Sequence, residues 1–180
     1  MEPLTGSLLI ANATLFDPNF RRAVVLVGHH DDEGAVGVVL NRALDITVRE
    51  AVPPLQGLVD ADEPLFAGGP VQTDSVVVVA DFADPSRAQI LATGSIGFLP
   101  PETDDEILDG ISRARVFAGY TGWGAGQLET ELDEDSWVLE PALPADVFHP
   151  RPDRLWHDVL RRKGRTFDLL RLMPDDPAMN

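Results

Sequence analysis

Hydrophobic positions in this 180-residue chain fall into short blocks separated by polar, glycine- or proline-containing breaks. SLLIA (7–11), AVVLVG (23–28), AVGVVL (35–40), SVVVVAD (75–81), QILAT (89–93) and RVFAGY (115–120) have strand length and strand composition, and SWVLE (136–140) makes a seventh. Several of these runs are continuously apolar rather than alternating, which predicts a sheet covered on both faces over part of its area. The second and third are joined by HHDDE and Gly34, a hairpin signal.

Helical patterns with a cap or a stop residue occur in three places. Thr47 is placed to cap VREAV, which stops at Pro53 and Pro54. Thr103 or Asp104 caps DDEILDGISR, where Ile107, Leu108 and Ile111 form one apolar stripe. Asp153 caps RLWHDVLRRK, with Leu155, Trp156, Val159 and Leu160 inward and Gly164 as the stop. Residues 52–64 read as a surface excursion, and 174–180 as a frayed tail. The order of elements lacks a β-α-β-α rhythm and shows no internal repeat. It predicts an α+β fold in a single domain over 1–180, with its core at about 6–165.

Composition narrows the class further. Hydrophobic residues at 44% and charged residues at 24% suit a soluble globular chain large enough to bury a core unaided. Cysteine is absent, which excludes disulfides, Cys-ligated zinc and thiol catalysis. The N-terminus carries Glu2 where a signal peptide needs basic residues, and its apolar run breaks at Asn12. No apolar stretch approaches the ~20 residues of a membrane span. A cytoplasmic protein without membrane contact is expected. The net charge of −16 opposes direct nucleic-acid binding. The one basic cluster, Arg161, Arg162, Lys163 and Arg165, reads as cations complementing a helix C-terminus.

Candidate chemistry is sparse. Asp17, Pro18, Asn19 and Phe20 form a strong turn that sends Phe20 to the core. Asn41 and Arg42 end an apolar strand and can reach a ligand, but the abundance of carboxylates favours Asn41 closing a turn and Arg42 pairing with an acid. Gly68 and Gly69, before Pro70, can present N–H groups to an anion or make a turn that only glycine allows. In GYTGWGAGQLETEL (119–132), Gly122, Trp123 and Gly124 read as a turn, and Ala125 or Gly126 as the start of a helix. Leu128 and Leu132 then face the core, while Gln127 and Glu131 share the next face. The polar set Gln127, Glu129 and Glu131 beside Tyr120 is the candidate ligand- or partner-binding site, with Trp123 at its centre. His29, His30, Asp31 and Asp32 read as a solvated hairpin tip rather than a metal site, and His157 as solvated. Gly94, Ser95, Ile96 and Gly97 lack nucleophile-elbow spacing, and no Ser-His-Asp set suggests itself. No catalytic residue, metal or cofactor is assigned.

Four segments in order, LFDPNFRRAVVLV (15–27), EGAVGVVLNR (33–42), FAGGPV (66–71) and GYTGWGAGQLETEL, resemble those of the YqgE/AlgH family of bacterial proteins. The resemblance runs from Gly6 to Trp156, and LWHDVLRR is similar to the actinobacterial branch. The chain departs from the pattern at GSIGFLPPET (94–103), where a shorter, more acidic turn is usual. The resemblance implies a mixed β-sheet partly closed into a small barrel with helices packed around it, in a soluble cytoplasmic protein. Members are often labelled transcriptional regulators, and no catalytic reaction is established for them. The expectation is therefore a non-enzymatic regulatory or binding module, monomeric or weakly homo-oligomeric, whose partner is a protein or small molecule. The alternative is an enzyme of unrecognised type built on Asn41, Arg42, Gln127, Glu129 and Glu131.

Overall fold

A computed structural model describes residues 2–164, 167 and 169–174. Ten strands, β1 (Ser7–Ala11), β2 (Val24–Asp31), β3 (Gly34–Val39), β4 (Ala43–Thr47), β5 (Pro64–Ala67), β6 (Val71–Phe82), β7 (Ile90–Thr93), β8 (Ile96–Phe98), β9 (Ile111–Gly124) and β10 (Trp137–Pro141), form one sheet. Short helices accompany them among the described residues: α1 (Val48–Ala51), α2 (Asp105–Asp109), α3 (Gln127–Asp133), α4 (Pro144–Val147) and α5 (Leu155–Lys163). The strand order β10-β1-β2-β3-β9-β6-β8-β7 is antiparallel throughout. β5 adds a parallel pairing, against β9, and carries β4 on its other side. The sheet is thus mixed and the class α+β.

The sheet curls into a half-closed barrel. β1 pairs with β2 only at Val24, Val25 and Leu26, so the outer half of β2 is left without β1. β7 comes alongside that half without a hydrogen-bonded ladder among the described residues. Closeness at this seam demands glycine: a Cβ on Gly6 would strike the Ala92 carbonyl, and one on Gly28 the Phe98 ring. Curvature also explains the continuous apolar runs. Leu8, Ile10, Val24 and Leu26 face the interior with Val79 and Phe117, while Leu9, Val25 and Val27 face α3 and Trp123. On the other wall Val78, Ala80, Ala114 and Val116 take the outer cover. Helix α5 seals the interior with Leu155, Trp156, Val159 and Leu160, as its stripe predicts, and burial of each of the three aliphatic side chains is worth about 1.5–3 kcal/mol. Trp156 also donates to the Ala11 carbonyl at 2.8 Å.

Several local expectations are corrected. Strands β4, β5 and β8, of three to five residues, lie outside the expected runs. Residues 52–64 are not merely an excursion: they hold a 3₁₀ turn, Pro53–Leu58, and lay Val52, Leu55, Leu58 and Val59 on the outer face of β6 and β9. Thr47 caps α1 with a reciprocal Glu50 box, and Asp104 caps α2 through the Ile107 N–H. Helix α2 nevertheless stops at Gly110, because Ile111 is drawn into β9 opposite Phe82. Asp153 does not cap α5; a 3₁₀ turn, Pro152–Arg154, leads into it. The expected frayed segment beyond 174 lies outside the described residues, as does Arg165 of the basic cluster.

Candidate functional site

Strand β9 runs through the expected Gly122–Gly124 turn as regular strand, because Trp123 and Gly124 pair with Ala35 and Gly34 of β3. The turn falls at Ala125 and Gly126, where Gly126 takes φ +73° ahead of α3. Leu128 is buried and Leu132 packs partly into the same cluster. Trp123 is 5% exposed and lies in an aromatic group with Phe20 and Trp137. Both indole N–H groups donate to the same Glu131 oxygen at 2.8 Å, and Gln127 donates to the other at 3.1 Å. Gln127 in turn accepts from the Gly124 N–H. Glu131 is thereby a hydrogen-bonded post under the corner.

Glu129 bonds a residue that the hairpin-tip reading placed in solvent. His30 is 6% exposed; its Nδ1 accepts from the Leu4 N–H at 3.1 Å and its Nε2 meets Glu129 at 2.7 Å. Because a backbone N–H can only donate, the neutral ring carries its proton on Nε2. Glu129's own backbone N–H and the His30 ring hold its carboxyl below the ordinary value. His29 remains exposed, paired with Asp31 at 2.8 Å. His157 is half-buried rather than solvated, 3.4 Å from Arg22, and burial followed by Arg22, Arg154 and Arg171 pushes its pKa down.

The other candidates lie elsewhere. Asn41 accepts from the Val24 N–H at 3.0 Å and donates to the Arg22 carbonyl at 2.8 Å, closing the 17–22 loop onto the sheet. Arg42 donates to the carbonyls of Pro18 and Arg21, both at 2.9 Å. Burial lowers its pKa, opposed by Asp17. Gly68 and Gly69 mark the junction of β5 with β9: a Cβ on Gly68 would strike the Gly119 carbonyl, and one on Gly69, at φ +154°, the Tyr120 backbone. Asn41, Arg42 and the glycines are not brought together with Gln127, Glu129 and Glu131. Each of the polar side chains among them already has a protein partner.

Tyr120 is the exception. Its ring packs against the interior cluster and its face lines a cavity of about 270 Å³ at the seam, with Gly28, Val36, Val77, Ile90 and Phe98. Among the described residues its hydroxyl and the Gln89 amide, which also lines the cavity, have no hydrogen-bond partner. A second cavity of about 340 Å³ shares Val77, Gln89 and Phe98 and continues past Val76, Leu99 and Pro101. Its far wall is built from 99–103, within the stretch that departs from the expected pattern. Sequence reasoning missed Val77, which lies in a run that reads as core, and Phe98, which lies in the stretch that departs from the expected pattern. It also missed Arg115, 8% exposed, which binds Glu63 at 3.2 Å and the carbonyls of Val147 and His149. Burial lowers its pKa and Glu63 raises it.

A half-barrel α+β domain with an apolar trough at its open seam is the class that fold and site define. The chain belongs to the AlgH-like family, whose sequence profile matches residues 8–168. It is 44% identical over 187 residues to UPF0301 protein SCO2948 of Streptomyces coelicolor, covering 100% of this chain and 97% of the relative. A UPF0301 protein of Mycobacterium avium is 40% identical, covering 97% of this chain and 90% of that one. The crystal structure of protein DIP2367 from Corynebacterium diphtheriae superposes with a TM-score of 0.85 at 31% identity, covering 94% of this chain and 92% of that one. The solution structure of AlgH from Pseudomonas aeruginosa gives a TM-score of 0.71 at 30% identity, with 96% and 95% covered.

Proposed function

We propose that this protein is a non-enzymatic binding module of the bacterial cytoplasm that acts through the trough at its barrel seam. The observation that carries this reading is the pair of adjoining apolar cavities around Val77 and Phe98, with exposed Val36 and Val76 at 42% and 43%. Apolar surface held open beside unpartnered polar groups is what a recognition site requires. The carboxylates and the arginine that an enzyme reading would use support the fold instead: Glu131 holds two indoles, Glu129 holds His30, and Arg42 holds the 17–22 loop. Arg162 and Lys163 of the basic cluster pair with Asp146 and Glu140, which supports a role without nucleic-acid contact. A regulatory effect would then run through the bound partner, with the protein itself monomeric or weakly self-associating.

The test is a ¹H–¹⁵N NMR titration with benzyl alcohol as an apolar probe. Saturable shifts at Val36, Val77, Phe98 and Tyr120 are expected. Shifts confined to other surfaces, or none, would remove the trough as the binding site.

A further inference from the structure

The trough has chemistry at its ends as well as along its floor. Val77, Gln89 and Phe98 belong to both cavities, so two apolar recesses lie side by side across a shared wall. Among the described residues no lysine or arginine lines either one. At the first recess the β2–β3 hairpin raises exposed Asp31, Asp32 and Glu33, adjoining His29 of its lining. At the second, exposed Glu102, Asp104 and Asp105 flank its lining residue Thr103. An apolar double pocket between two acidic ends is thus presented by a chain of net charge −16.

Same-face side chains of an extended peptide recur every ~7 Å, about the spacing of adjoining side-chain pockets. We propose that the trough docks a short extended segment of a partner protein, with two apolar side chains at alternate positions and an arginine or lysine at each flank. The apolar side chains fill the two recesses. The flanking cations meet Asp32 and Glu33 at one end and Glu102 and Asp105 at the other, where the charges complement. Gln89 and the Tyr120 hydroxyl, both without a partner among the described residues, bond the peptide main chain between. This assignment rests on the binding-module reading above and gives it a partner class.

The probe is the peptide acetyl-Arg-Val-Thr-Val-Arg-amide, compared with versions carrying Glu for Arg or Ser for Val, by anisotropy and by ¹H–¹⁵N shifts. The Arg-Val peptide is expected to saturate and to shift Val76, Val77, Phe98 and Tyr120. The Glu-flanked peptide should bind at least about tenfold more weakly, as should the Arg-Val peptide at high salt. The exposed substitution Val76→Lys should abolish binding. Combined Asp32→Asn, Glu33→Gln, Glu102→Gln and Asp105→Asn, all at exposed positions away from cap contacts, should weaken it about tenfold. Equal binding of the Glu-flanked or Ser-substituted peptide, or no peptide binding at all, overturns the peptide assignment. If benzyl alcohol still shifts the trough in that case, the binding-module reading survives; if it does not, both fall together.

Discussion

Two indole N–H groups converge on one oxygen of Glu131 while Gln127 donates to the other, so both oxygens must accept, which the carboxylate does and a glutamine of the same size cannot. Glu131→Gln keeps the shape but can turn an amide N–H toward a tryptophan. It should cost about 1–3 kcal/mol, the usual penalty for an unsatisfied buried donor. The denaturant midpoint and the tryptophan emission of Trp123 and Trp137 would both move; an unchanged midpoint would show that the bridge contributes nothing. His157 gives a second test at this scale. Burial, and after it Arg22, Arg154 and Arg171, set its folded pKa below the ordinary 6.5. Above that value the ring is neutral in both states and costs nothing. As pH falls below it, the unfolded chain takes up the proton first, and stability declines. His157→Gln should flatten the decline in stability as pH falls below about 6.5. Neither role was legible in sequence: Glu131 lies eight residues from Trp123 and six from Trp137, and no periodicity links them.

Among the elements, the parallel contact of β5 with β9 depends on a backbone approach that only glycine permits at Gly69. Gly69→Ala should destabilise by about 1–3 kcal/mol, combining a disfavoured φ with a backbone clash. Its melting midpoint should fall, and the Tyr120 amide signal should shift as β9 is displaced; a wild-type midpoint would show that the junction relaxes freely. The C-terminus of α3 offers the opposite change. Asp135 sits at φ +57° just past the helix, where its N–H bonds the Leu132 carbonyl and Ser136 N–H bonds the Glu131 carbonyl. Asp135→Gly relieves a left-handed conformation and should add about 0.5 kcal/mol, the balance of that relief against a freer unfolded chain. Long strands and capped helices were visible from their apolar blocks and their Thr47 and Asp104 caps. Short β4, β5 and β8 were not, because pairing to neighbours rather than their own composition makes them strands. The same competition takes Ile111 from its helical stripe into β9.

The whole molecule carries thirty acidic against fourteen basic residues, so self-repulsion opposes its compact state. Raising salt from about 0.1 M to about 1 M shortens the screening length from about 10 Å to about 3 Å, and the thermal midpoint should rise. A fall would instead mean that pairs such as Arg115–Glu63, at 3.2 Å, outweigh the repulsion. From sequence alone came the strand blocks, the two-sided cover of the sheet, the hairpin, the α5 stripe and the family pattern. These follow from local periodicity and turn chemistry, which act over a few residues. Tertiary structure alone decided which polar groups are spent on one another and where apolar surface stays open. Trp123, Glu131 and Trp137 meet because α3 folds back between β9 and β10, and Val36, Val77, Phe98 and Tyr120 form one trough because a half-closed sheet brings distant segments together. A sequence pattern reports which face of a strand is apolar, but not whether another strand arrives to cover it.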